Sequence, residues 1–260
     1  MTTLRFYWRT FAVLVNTFVC WLCFEIALLF TSKQNRSRAV NSWVPRWARI
    51  NLWIFKIRVL ADGANYDGKN LIAGRDANGR GRIFISNHRS GLDIPLLLSL
   101  IEAHCISRHD LANWPIIGRG AKRIGTLFVD RTSRRSGAAV LKEVAHAVEN
   151  GEGVAMFPEG TSYAGDEVHK FHTGAFNAAR RAGAQLVPIG LAYSDEAAYF
   201  FHEAFLDHAK RLTTVESMSV AVEFGEPIEF GDSTTPEVVQ RSHQCVQELV
   251  NRARARLEKK

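Results

Sequence analysis

Residues 82–93 read RIFISNHRSGLD. Arg82–Ser86 is a short apolar run with two isoleucines and a phenylalanine, closed by a polar turn, and it reads as a buried strand. After Asn87, His88 and a Ser90-Gly91 turn, Asp93 opens the run IPLLLSLIEA, which predicts a helix over Asp93–Ala103. Strand, tight turn and helix in succession are the repeating unit of an α/β fold, whose strand ends carry the functional groups. At this strand end His88 and Asp93 are of the right types for proton transfer. Asp93 can accept from one ring nitrogen and leave the other free to take a proton. Taken alone, two such residues are more often a structural or solvated pair.

Outward from this unit the same alternation continues. Strands are expected at Ile57–Ala61, His104–Ser107, Gly125–Val129, Gly153–Phe157, Gln185–Tyr193 and Met218–Phe224. Helices are expected at Pro115–Ile124, Ser136–Asn150, Ala175–Ala182 and Pro236–Leu257. Gly151 supplies a stop signal after the second of these. The expected fold class is α/β: a mixed, largely covered sheet with flanking helices over residues 57–260. A membrane-anchoring helical segment over residues 1–56 precedes it.

That first segment contains FAVLVNTFVCWLCFEIALLF at residues 11–30, just long enough to cross a hydrocarbon core about 30 Å thick. Asn16 and Glu25 interrupt it. Arg5 and Arg9 precede it, and Lys33, Arg36, Arg38, Arg46 and Arg49 follow, a bias that favours a cytoplasmic location for the main domain. Trp43, Trp47, Trp53 and Phe55 interleaved with arginines suit a membrane interface, or else a core-packing helix. A helical hairpin in one leaflet and a spanning helix followed by an interfacial one both fit.

The 260 residues are 47% hydrophobic, ordinary for a globular chain and far too low for a polytopic membrane protein. A net charge of +7 implies phosphate-bearing or anionic partners. With no recognition-helix or zinc-finger pattern, no nucleic-acid partner is expected. Cys20 and Cys23 have C-x-x-C spacing but no further ligand at metal spacing, and Cys105 and Cys245 read as ordinary core or helix residues, so no metal, cofactor or disulfide framework is expected.

Three further blocks lie at strand ends. GTLFVDR at residues 125–131 places Arg131, a natural bidentate phosphate ligand, at a tip. MFPEGTS at residues 156–162 places Glu159, Gly160 and Thr161 in a turn where a carboxylate and a hydroxyl can meet a polar head and a glycine permits close approach. LVPIGLAY contains Pro188, which marks a strand start or a bulge. In this order the blocks resemble the glycerolipid acyltransferase family, which includes the bacterial 1-acylglycerol-3-phosphate O-acyltransferases. The H-x4-D motif matches His88 and Asp93. The second block matches Pro115, Gly118 and Phe128 to Arg131, the F-P-E-G-T block Phe157 to Thr161, and the V-P-I block Val187 to Ile189. The resemblance covers about residues 80–230. Departures are Arg108, where the family often has lysine, and Ser162, where it often has arginine. The variant with serine is met in relatives acting on other lysolipids, including lyso-ornithine lipid. Lys122, Arg123 and Lys170 are alternative sources of phosphate contacts.

The resemblance implies direct acyl transfer from acyl-CoA or acyl-carrier protein to the free hydroxyl of 1-acylglycerol-3-phosphate or another lysolipid. His88 would be the base and Asp93 its orienter, with Arg131, Glu159, Gly160 and Thr161 binding the acceptor. The oxyanion stabiliser is either backbone N–H groups near His88 or a further side chain. Leu96 to Leu100 and the N-terminal helices are candidate walls for an acyl groove. A non-catalytic membrane-binding protein and a lipid hydrolase are the rival classes.

Overall fold

The computed structural model describes residues 2–32, 35–113, 117–130 and 133–259. Two long helices, α1 (Thr2–Leu29) and α2 (Arg36–Ile54), precede β1 (Ile57–Gly63), β2 (Ile83–Ser86), α3 (Asp93–Leu98), β3 (His104–Arg108), α4 (Ile117–Arg123) and β4 (Leu127–Val129). There follow α5 (Arg134–Glu149), β5 (Val154–Met156), α6 (Gly174–Ala182), β6 (Leu186–Tyr193), α7 (Phe205–Thr214), β7 (Met218–Phe224) and α8 (Thr235–Glu258). The strands form one sheet in the order β1-β7-β6-β2-β5-β3-β4, with β6 and β7 antiparallel and the other neighbours parallel. The fold is therefore the expected mixed α/β sheet with flanking helices.

Both faces are covered, and β2 shows how. Successive side chains of a strand point to opposite faces. Phe84 joins the core beneath the N-terminal helices with Leu52, Leu96, Leu97 and Val187, while Ile83 and Ile85 join the other with Val144, Phe176 and Val250 from α5, α6 and α8. These three apolar side chains of β2 are at most 1% exposed, and each contributes about 1.5–3 kcal/mol by burial. Helix ends follow local chemistry. Thr234 and Glu237 make a capping box at the start of α8, and Gly183, at φ +62°, closes α6.

The structure corrects one expectation, decides a second and adds an element. The helix opened by Asp93 stops at Leu98, not Ala103. The Ser99 hydroxyl donates to the Leu96 carbonyl at 2.6 Å, and Ile101 must extend to bridge Ile72. Of the two readings of Pro188, strand start or bulge, the bulge holds: it lies inside the fully buried β6. It is tolerated because the chain after β7 carries one more residue than β6 between the pairs Ile189–Phe224 and Leu186–Ile228. The ladder is irregular where the proline lacks its N–H. Helix α7 had no expected counterpart.

Helices α1 and α2 form an antiparallel hairpin whose inner face belongs to the core: Phe24, Val40, Val44 and Leu52 share one cluster with Phe84 and Leu97. Asn16 does not disrupt α1, because its amide donates to Asn51 Oδ1 at 2.9 Å and to the Trp47 carbonyl at 3.1 Å. Arg9 is buried and donates to the carbonyls of Ile54, Phe55, Val215 and Glu216, tying α1 to the end of α2 and to the loop after α7. The outer face of α1 exposes Leu4, Trp8, Phe11, Phe18, Leu22 and Ile26, an apolar stripe at helical spacing. This helix is long and apolar enough to anchor in a membrane. Of the aromatics assigned to an interface, Trp53 faces outward, whereas Trp43 and Trp47 pack inward.

Candidate active site

The site is assembled at the carboxyl end of β2. The Asn87 side chain exchanges hydrogen bonds with the backbone of Leu191, donating to its carbonyl at 2.9 Å and accepting its N–H at 2.8 Å. This extra rung ties the turn to β6. Next in the chain, His88 Nδ1 lies 2.7 Å from Asp93 Oδ2. That oxygen also accepts the N–H groups of Arg89 at 2.7 Å and Ser90 at 2.9 Å. Asp93 Oδ1 accepts the Tyr193 hydroxyl at 2.7 Å. Burial, followed by the negative charge of Asp93, pushes the Tyr193 phenol well above its usual range, so it stays protonated and keeps donating. A carboxylate so surrounded fixes the proton of His88 on Nδ1 and leaves Nε2 for a substrate. The ring stacks on Phe157, 4.1 Å between centroids.

The FPEGTS turn is built against this histidine. Glu159 is 2% exposed. Its oxygens accept the His88 N–H at 2.6 Å, the His169 N–H at 2.8 Å and the Arg89 guanidinium at 2.9 Å. Arg89, also buried, donates its remaining groups to the carbonyls of Gly165 and Glu167, both at 2.6 Å. The Tyr163 N–H closes the turn on the His88 carbonyl at 3.0 Å. Gly160 and Thr161 are exposed at the surface of this turn. Gly160 has φ +75°, and a Cβ there would lie 2.9 Å from the His172 ring. Ser162 is buried.

His88 and Gly91 form part of the wall of a cavity of about 330 Å³. Its other walls are apolar: Phe24, Trp43 and Trp47 from the hairpin, Ile94 and Leu98 from α3, and Phe128 from β4. Of the run Leu96 to Leu100, only Leu98 reaches the cavity, since Leu96 and Leu97 turn into the core.

The structure brings His88, Asp93 and Glu159 into one hydrogen-bonded unit, with Gly160 and Thr161 beside it. Arg131 and Pro115, together with the Arg108 side chain, lie outside the described residues. Gly118 meets the backbone of Ala112, where a Cβ would come 2.4 Å from a carbonyl oxygen. Arg123 makes a bidentate pair with Glu25, so the carboxylate that interrupts α1 is matched. Among the described residues, no three His, Cys, Asp or Glu side chains converge to hold a metal ion. Sequence reasoning passed over Arg89, Tyr193 and His208. Each reaches the site across the fold or through burial, and only Tyr193, at the end of a strand, carried a positional hint.

A histidine oriented by a carboxylate beside an apolar cavity, on a mixed sheet with an apolar hairpin, defines an enzyme that activates a nucleophile next to a lipid-like chain. The family described as Acyltransferase matches residues 66–192, just under half of the chain. The chain is 29% identical over 170 residues to a lyso-ornithine lipid O-acyltransferase of Pseudomonas aeruginosa, covering 63% of this chain and 66% of that one. It is 28% identical over 173 residues to a 1-acyl-sn-glycerol-3-phosphate acyltransferase of Neisseria gonorrhoeae, covering 58% and 68%. The matched regions thus span about two thirds of these relatives' lengths. The crystal structure of the 1-acyl-sn-glycerophosphate (LPA) acyltransferase PlsC from Thermotoga maritima has the same fold, with a TM-score of 0.73 over 98% of both chains at 18% identity.

Proposed function

We propose that this enzyme moves a fatty acyl group from acyl-CoA or acyl-carrier protein to the free hydroxyl of a lysolipid, with 1-acylglycerol-3-phosphate as the leading acceptor. The observation that carries the reading is the His88–Asp93 pair, with His88 in the wall of an apolar cavity formed partly by the N-terminal hairpin. A cavity of this size suits a ligand with long apolar parts.

His88 Nε2 takes the acceptor's hydroxyl proton as that oxygen attacks the thioester carbonyl. Asp93 stabilises the imidazolium that results. Collapse of the tetrahedral adduct breaks the C–S bond, and the imidazolium returns its proton to the departing thiolate. The new ester and the free thiol account for every atom. Arg131 holds the acceptor phosphate, and Gly160 and Thr161 present the turn against which the head group lies. Glu159 supports acceptor binding by holding that turn to His88, since its oxygens already have partners. The N–H groups of residues 88 to 93 are likewise taken, which favours an oxyanion donor outside this loop.

The outer face of α1 lies in the membrane, with the catalytic domain on the cytoplasmic side of the cell inner membrane. The basic residues after α1 support that orientation. A second reading is acylation of lyso-ornithine lipid. It is favoured by Ser162, a buried, uncharged residue where an arginine would offer a phosphate contact.

The test is thiol release from palmitoyl-CoA and palmitoyl-carrier protein by detergent-solubilised enzyme, with lysophosphatidic acid and lyso-ornithine lipid as parallel acceptors. Release that requires lysophosphatidic acid is the expected result. Release only with lyso-ornithine lipid moves the enzyme to the second reading. Release without any acceptor would make it a hydrolase and overturn both.

A further inference from the structure

The loop from His88 to Asp93 is held by an acceptor for each of its six backbone N–H groups. Glu159 takes the first, Asp93 the second and third, Ser90 Oγ the fifth and the Ser90 carbonyl the sixth. The fourth, Gly91 N–H, donates to His208 Nε2 at 3.1 Å. His208 lies on α7, beyond the region matched by the family, and is fully buried. Phe200 stacks on its ring, 4.9 Å between centroids. Approach to Gly91 is close: a Cβ there would lie 3.0 Å from the Phe205 ring and 3.3 Å from His208. Nothing in the transfer reaction uses this histidine.

We propose that His208 is a positioning residue for acyl transfer: by accepting the Gly91 N–H it fixes the turn that aligns His88 with Asp93. The inference rests on His88 being the base. Only the neutral ring can accept at Nε2; its proton then sits on Nδ1, which lies 3.5 Å from Glu203 Oε1 and 3.1 Å from Arg211 Nη2, a guanidinium already paired with Glu203. Burial, then the Arg211 guanidinium one turn along α7, hold the group down at about 4, with Glu203 and Asp93 opposing and His88 adding to the effect. At neutral pH His208 therefore keeps its lone pair. Below about 4 it becomes a donor facing a donor, and the turn loses its tie.

The experiment compares His208→Phe and His208→Gln with wild type in the full-length, detergent-solubilised enzyme, with His88→Ala as control. A misplacement of about 1 Å costs about a hundredfold. The phenylalanine variant should accordingly lose about ten- to a hundredfold in kcat while both KM values stay within about threefold. Glutamine can accept the Gly91 N–H and should recover most of the loss. It cannot take up the proton, so the ratio of its kcat to that of wild type should rise as pH falls from 6.5 toward 4. Equal loss in both variants, full activity in the phenylalanine variant, or a flat ratio would each overturn the inference. Undiminished activity of His88→Ala would instead remove the base on which it rests. If His208→Phe does not fold, the glutamine pH ratio decides.

Discussion

Burying the Glu159 carboxylate against the Arg89 guanidinium costs several kcal/mol per ion in lost hydration. The cost is offset because every polar group of the pair has a partner: two backbone N–H groups for the acid, three backbone carbonyls for the base. Removing one member leaves the other charged, buried and unpaired, a loss of about 3–5 kcal/mol. Glu159→Ala should therefore lower the melting temperature by several degrees and reduce kcat along with it, read by thermal unfolding and steady-state kinetics. A raised acceptor KM with unchanged melting temperature would instead return Glu159 to direct contact with the head group. At this scale the contact of His88 with Asp93 was legible, though only through the ordered blocks around it, since the two residues taken alone also read as a structural pair. Arg89 and Tyr193 were not. Nothing in the string says that Arg89 turns inward, or that β6 lies beside β2 and brings Tyr193 to Asp93.

Between residue and molecule stand the elements that wall the cavity. Strand β4 sends Phe128 to the cavity and Val129 to the opposite core, so a three-residue strand links the two. Helix α4 contributes Gly120, where a Cβ would meet nothing within 4 Å. Gly120→Leu is therefore expected to fit without disturbing the fold and to shorten the space for an acyl chain. With a donor series of increasing length, kcat/KM should fall about tenfold more for palmitoyl than for lauroyl, about 1.4 kcal/mol of selectivity. Equal effects on all lengths would place the acyl chain elsewhere. The strands were readable from their β-branched runs. Two helices were misjudged for tertiary reasons. Helix α3 is cut short by Ser99 and by the Ile72–Ile101 bridge. Helix α7 is only ten residues long, and its apolar side is completed by contacts that no local pattern reveals.

For the whole molecule the hairpin is the deciding feature. Its apolar length was evident in the sequence, but its inner face was not, because Asn16, Trp43 and Trp47 look like interruptions or interface anchors until α1 and α2 are seen against each other. In the fold one face of the hairpin closes the core and the cavity, while the other exposes an apolar stripe. The proposed reaction needs a proton-accepting histidine beside a lipid chain, and His88 in the wall of this apolar cavity fits that need. The most direct measurement is the initial rate of acceptor-dependent thiol release from palmitoyl-CoA by wild type and His88→Ala in lipid vesicles, with folding of both checked by thermal unfolding. A general base contributes about 10²–10⁴-fold. The rate of the variant should fall at least a hundredfold with an unchanged melting temperature. A folded His88→Ala enzyme that keeps its acceptor-dependent rate would contradict it.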